Sequence, residues 1–253
     1  MKLTAGNVKK LFIGAVFLVA LIVYAVNVLS GGSGGTPSAV SSPAVTAESS
    51  EVTEPVQEDV APVDSDIASK LYSLAVADAA GVNYERGEWN HWVDFTPCWS
   101  VREEVLYRDA VKDEALTLLD KNKVRTSDKA NACYIVGGTW NDPYTGEVFT
   151  NPEDLDIDHM IPLNYAAQHG GQAWDSGKKE SYANNLDYAH HLIAVSASAN
   201  RSKSDKGPSE WKPSNTAYYC TYATDWVNIS HTWGLSVTQS DKNVLNEMLV
   251  TCG

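Results

Sequence analysis

The sequence predicts an α+β domain, mostly helical and carried outside a membrane. Three observations predict it. Segments with apolar residues at helical spacing outnumber the short aliphatic runs in residues 67–253. A nineteen-residue uncharged stretch, Leu11–Leu29, follows Lys2, Lys9 and Lys10, and no Lys or Arg comes after it until Lys70. All four cysteines, Cys98, Cys133, Cys220 and Cys252, lie beyond that stretch.

Residues 1–10 are expected to be a basic cytoplasmic segment. Leu11–Leu29 would span about 28 Å as a helix, close to the hydrocarbon thickness of a bilayer. Positive charge stays in the cytoplasm, so a single-pass anchor with its N-terminus inside is expected. The alternative is a signal cleaved near Ser30, after which the protein is secreted. Residues 30–66 open on Ser-Gly-Gly-Ser-Gly-Gly and carry seven acids and no base. Such a composition cannot bury enough apolar surface to order itself and reads as a disordered, extended linker. The folded domain is then 67–253, long enough for a substantial core.

Within it, Ile67, Leu71, Leu74 and Ala75 predict a helix over 67–80, and Val105, Leu106, Ala110, Val111 and Leu118 a second over 102–119. Residues 133–140 read as a strand and Asn141–Gly146 as a turn rich in Asp, Pro and Gly. Residues 157–161 and 191–195 are the two central strands, with helical stretches at 164–170 and 178–185 between them. Helices follow at 218–232 and 240–250, the latter with Ser240 as a plausible N-cap. The four cysteines are too widely spaced for a C-x-x-C zinc site. Outside the membrane an even count argues for disulfides. Of the three connectivities, Cys98–Cys133 with Cys220–Cys252 is preferred, because each bridge closes a local loop.

The chemistry concentrates in two segments. Asp156-Ile157-Asp158-His159-Met160-Ile161-Pro162 sets a carboxylate beside an imidazole. Asn200-Arg201-Ser202-Lys203-Ser204-Asp205-Lys206 sets an amide oxygen among basic side chains. A carboxylate and an amide oxygen suit a hard cation, and a neutral imidazole can take a proton from water. In a strand, Asp156 and Asp158 share a face and His159 points to the other.

The pattern D-x-D-H-x-x-P, then an aliphatic strand, then N-R-x-K-x-D resembles the HNH endonuclease superfamily, whose site is a ββα-metal finger. Within it the chain is most similar to exported bacterial HNH proteins related to the C-terminal domain of GmrSD-type restriction endonucleases. The likeness takes in Asp142-Pro143-Tyr144-Thr145-Gly146, Glu210-Trp211 and Tyr219-Cys220-Thr221-Tyr222, and so covers roughly residues 95–253, with the finger at about 155–212. It implies that His159 is the general base and that Asp158 and Asn200 hold one divalent cation, Mg²⁺ with Mn²⁺ as the alternative. The middle Asn of the pattern has no match beside the second strand. His191 stands there, and Asn184 and Asn185 lie six or seven residues earlier. His191 and Asp156 are the expected bracing residues, and Arg201, Lys203 and Lys206 the expected phosphate contacts.

The formal net charge of −13 argues against a long basic groove. Removing the three N-terminal lysines and the seven linker acids leaves 25 acids and 16 bases in 67–253, while residues 196–212 carry four bases against two acids. Weak, salt-sensitive binding of nucleic acid is expected, DNA ahead of RNA. No obligate protein partner is evident. The expected function is an exported, metal-dependent phosphodiester hydrolase. The alternative is a non-catalytic cell-surface binding protein with a degenerate HNH core.

Overall fold

The computed structural model describes residues 64–253 except position 113. The expected anchor, Leu11–Leu29, and nearly all of the linker lie outside the described residues. Among the described residues no helix is long and apolar enough to cross a membrane.

Helix α1, Ser65–Ser73, starts from an Asp64 cap and buries Ile67 and Leu71. It stops well short of Ala80. Ala77 N–H donates to the Val237 carbonyl and Val237 N–H to the Ala75 carbonyl, each at 3.0 Å, so the chain after Leu74 runs extended against a distant segment. A hairpin of β1, Asp94–Thr96, and β2, Trp99–Ser100, leads into α2, Val101–Asp109, through a capping box formed by Ser100 and Glu103. The sequence predicts this helix to Leu119, but it ends at Asp109. There the Arg108 guanidinium donates to a backbone carbonyl at Leu192, and the Asp109 carboxylate accepts from Ala194 N–H at 2.9 Å. The two side chains supply backbone partners along the open edge of a later strand.

Residues expected to continue α2 instead form β3, Thr117–Leu119, between β4, Arg125–Thr126, and β5, Tyr134–Gly137. A second hairpin pairs β6, Trp140–Asn141, with β7, Val148–Phe149. The central pair is β8, Leu155–His159, followed after α3, Leu163–Gln168, and α4, Ser176–Ala183, by β9, Leu192–Ser196. They are antiparallel, with Asp156 opposite Val195, Asp158 opposite Ile193 and His159 opposite Leu192. Helix α5, Ala197–Lys203, follows from a Ser196 cap and completes a ββα unit. Helices α6, Tyr219–Trp233, and α7, Gln239–Leu249, close the domain. Gly234 ends α6 at φ 67°, a left-handed cap suited to glycine. The N-cap of α7 is Thr238, whose hydroxyl accepts from Asp241 N–H at 3.0 Å, not Ser240, which lies inside the helix. The fold is therefore α+β with four small antiparallel sheets among the described residues, more strand than the helical periodicity indicated.

The central pair lies between two cores. Ile193 and Val195 join a core with residues of α1, α3, α4, α6 and α7, while Leu155, Ile157, Leu192 and Ala194 join one with α2, β3 and β5. The period-2 alternation of a strand thus clamps β8 and β9 from both faces and leaves little freedom where the chemistry sits.

Both disulfides have the expected pairing: Cys98–Cys133, 35 residues apart, ties the first hairpin to the segment entering β5, and Cys220–Cys252, 32 apart, ties the start of α6 to the C-terminus. Each is worth about 3–4 kcal/mol on the loop-entropy model. Reduction should therefore lower the denaturant midpoint markedly, and alkylation of the folded, unreduced protein should modify no cysteine. Four modified cysteines in folded protein would contradict the pairing.

Candidate active site

His159 ends β8 at the floor of a cleft of about 550 Å³ lined by Tyr84, Arg86, Asp158, His159, Asn164, Asn200, Arg201 and Asp205 among others. Its ring is almost fully buried. Nε2 lies 2.9 Å from the Ala183 carbonyl, which can only accept, so the proton is on Nε2 and Nδ1 is left as the basic nitrogen. Trp92 packs on the imidazole with ring centroids 5.3 Å apart, and holds a left-handed φ of 61° to do so. Burial pushes the His159 pKa well below its ordinary value, against the opposing effect of the Ala183 carbonyl, with His191, Arg86 and Lys203 also lowering it. The imidazole is neutral at pH 7.

Asp158 shares the cleft but looks inward. Its Oδ2 accepts from the Tyr144 hydroxyl at 2.6 Å, and Lys203 Nζ lies 2.9 Å from Oδ1 and 2.8 Å from Oδ2. The remaining Lys203 proton goes to the His159 carbonyl at 2.9 Å. Lys203 is wholly buried. This corrects its expected role: it meets no phosphate, and instead clamps the Asp158 carboxylate to the His159 backbone. Burial pushes the Asp158 pKa up and the Lys203 pKa down despite their mutual attraction, as a desolvated pair should behave.

Sequence reasoning assigned no role to Tyr144. It sits in the Asp142–Gly146 turn, where Asp142 Oδ1 accepts from Tyr144 N–H at 3.1 Å and Oδ2 from the Thr145 hydroxyl at 2.6 Å. Gly146 closes the turn at φ 78°. The turn chemistry was legible; that it aims a buried hydroxyl at Asp158 was not.

Asn200, on α5, donates from Nδ2 to Asp156 Oδ2 at 3.2 Å, which leaves its Oδ1 without that partner. Asp156 also lies 3.4 Å from the Arg201 Nε. Asp156 therefore orients Asn200. Arg201 is largely exposed at the cleft, and Lys206 bonds the Ser202 carbonyl at 2.8 Å.

His191 lies against the end of α4. It is buried, neither ring nitrogen has a well-formed partner, and it packs on Tyr182 with centroids 4.6 Å apart. Burial lowers its pKa to about 4, against the opposing effect of the Tyr182 backbone. Asn184 makes a fuller set of hydrogen bonds in the same region. Its Nδ2 donates to the carbonyls of Asn90 and Glu180 at 2.7 and 2.9 Å, and its Oδ1 accepts from Val93 N–H at 3.1 Å. It thereby fixes the end of α4, where Ala183 holds His159.

The donor set suits a hard cation that keeps most of its waters. Among the described residues no three His, Cys, Asp or Glu side chains cluster to hold a metal. An ionised carboxylate offers about four lone-pair positions. Lys203 and Tyr144 use three on Asp158, so one position on Oδ1 remains, together with Asn200 Oδ1. Two oxygen ligands plus water and substrate phosphate are a normal complement for Mg²⁺.

Residues 109–248 match the family model of GmrSD restriction endonucleases, C-terminal domain. A protein of Arthroderma benhamiae described as an uncharacterized secreted protein is 34% identical over 169 residues, 67% of this chain and 76% of that one. No solved structure matches. The matched region holds β8, β9 and α5, with His159, Asp158, Asn200 and the Asp142–Gly146 turn, and the chain belongs to the family of the GmrSD restriction endonuclease C-terminal domain.

Proposed function

We propose that the protein is an exported endonuclease that hydrolyses phosphodiester bonds in DNA, with RNA as the alternative substrate, using one divalent cation, Mg²⁺ or Mn²⁺. The observation that carries this reading is His159. It is a buried, neutral imidazole with Nε2 tied to a carbonyl and Nδ1 free, beside two oxygen donors in a cleft edged by arginines. Membership of a family named for restriction endonucleases supports it.

In the mechanism, His159 Nδ1 accepts a proton from the attacking water, and the Ala183 carbonyl steadies the imidazolium that results. Asp158 and Asn200 would hold the cation, with Tyr144, Lys203 and Asp156 fixing those two side chains. A bound cation would offset charge on the scissile phosphate and the leaving oxygen. Arg201 at the mouth steers the phosphate backbone inward. The two disulfides fit an oxidising compartment, and the Arthroderma benhamiae relative is described as secreted. The mass of the exported protein separates an anchor at residues 11–29 from cleavage near Ser30.

One observation favours the non-catalytic alternative: both Asp158 oxygens already have partners. Relaxation of supercoiled plasmid decides between the two. Cleavage should vanish with chelator and return with Mg²⁺ or Mn²⁺. Undiminished cleavage in excess chelator would sink the metal mechanism, and no cleavage under any divalent cation would favour the binding protein.

A further inference from the structure

Part of the cleft comes from outside the matched domain. Tyr84 and Arg86 line it, and Trp92 covers His159, yet the family match begins at residue 109. Arg86 opens a short 3-10 turn, Arg86–Glu88, and is exposed. Its guanidinium takes part in none of the ion pairs formed among the described residues. The acids next to it in sequence are engaged by other groups, and Asp205 across the cleft accepts from Asn164 at 2.7 Å. Glu85 accepts from Asn83 at 2.9 Å, and Glu88 accepts from Lys179 at 2.6 Å and from Gln172 at 3.1 Å. The Tyr84 hydroxyl is buried beside the Arg86 guanidinium, which lowers its pKa against the larger, opposing effect of burial, and no other group of good hydrogen-bond geometry meets it.

A guanidinium outside every ion pair and a hydroxyl beside it, together on one cleft lining, are the donors a phosphodiester needs. Arg in particular offers a planar fork that meets two phosphate oxygens at once. We propose that Arg86 binds the scissile phosphodiester, with the Tyr84 hydroxyl donating to the same group, so that a segment outside the family domain completes the active site. The proposal rests on the nuclease reading and adds a substrate contact to it.

The test uses the full chain carrying His159→Ala, so that substrate is held and not cut, with a fluorescein-labelled DNA duplex as probe. Affinity is measured across a range of salt concentrations. Arg86→Ala should weaken binding and reduce the slope of log affinity against log salt by about one, the signature of one lost phosphate contact. Arg86→Lys should keep the slope. In the chain with His159 intact, Arg86→Ala should lower kcat on the order of 10²-fold, as loss of one transition-state donor does. Arg86→Lys should recover only part of that rate, because it keeps the charge and loses the fork. An unchanged salt slope in Arg86→Ala, with duplex still bound, overturns this assignment alone. No affinity for duplex even with Arg86 intact overturns the nucleic-acid reading and this assignment with it.

Discussion

His159→Ala is expected to slow DNA cleavage by about 10²–10⁴-fold while duplex and metal binding stay near their original values. The geometry sets this contrast. Nε2 is committed to the Ala183 carbonyl and Nδ1 is the only basic atom the ring can present to the cleft, where the role proposed for it is to take a proton from water and Asp158 and Asn200 are the proposed ligands. The ring is buried under Trp92, and its removal should cost some stability as well. Comparing melting curves and duplex affinity with rates separates that cost from the chemistry. Wild-type rates in this variant would place the base elsewhere.

Lys203→Met should destabilise the domain by about 3–5 kcal/mol in urea unfolding, the range for stranding one partner of a buried ion pair. Lys203 and Asp158 are 0% and 7% exposed, so solvent does not screen them. The methionine fills the space of the lysine stem but leaves Asp158 with the Tyr144 hydroxyl alone. The pair is also costly to bury, as the opposite shifts of its two pKa values toward neutrality indicate. Replacing both partners, Asp158→Leu with Lys203→Met, should therefore recover much of the lost stability while cleavage stays absent. A Lys203→Met protein as stable as the original, with normal kcat, would mean that the ammonium positions nothing.

Legibility in the sequence followed locality. The ββα unit was readable because β8, β9 and α5 each carry a compact pattern, and the disulfide pairing because each bridge closes a short loop. The end of α2 was hidden. Arg108 and Asp109 look like surface charges on a continuing helix, and only the edge of β9, more than eighty residues on, explains why the helix stops there. Lys203 misled for a related reason. Grouped with Arg201 and Lys206 it reads as one basic face, yet two residues subtend about 200° on a helix, so Arg201 and Lys203 must point apart. One turned to solvent and the other to Asp158. The middle position of the pattern stayed open in the sequence, with His191 beside the strand and Asn184 and Asn185 a few residues earlier. Asn184, also named in the sequence, holds the Asn90–Val93 loop and the end of α4 together, a set of long-range bonds that no local pattern signals. Arg86 carried no signal, being a single base in a stretch without periodicity.

The most direct test of the account is a Mg²⁺ titration of cleavage rate for three full-length proteins: the original chain, Asn200→Ala and His159→Ala. The account predicts that Asn200→Ala binds the cation more weakly and recovers much of its rate as Mg²⁺ rises, because one oxygen ligand is missing and the base is intact. His159→Ala should remain slow at every concentration. Rescue of His159→Ala by Mg²⁺, with Asn200→Ala beyond rescue, would contradict the roles assigned to both residues.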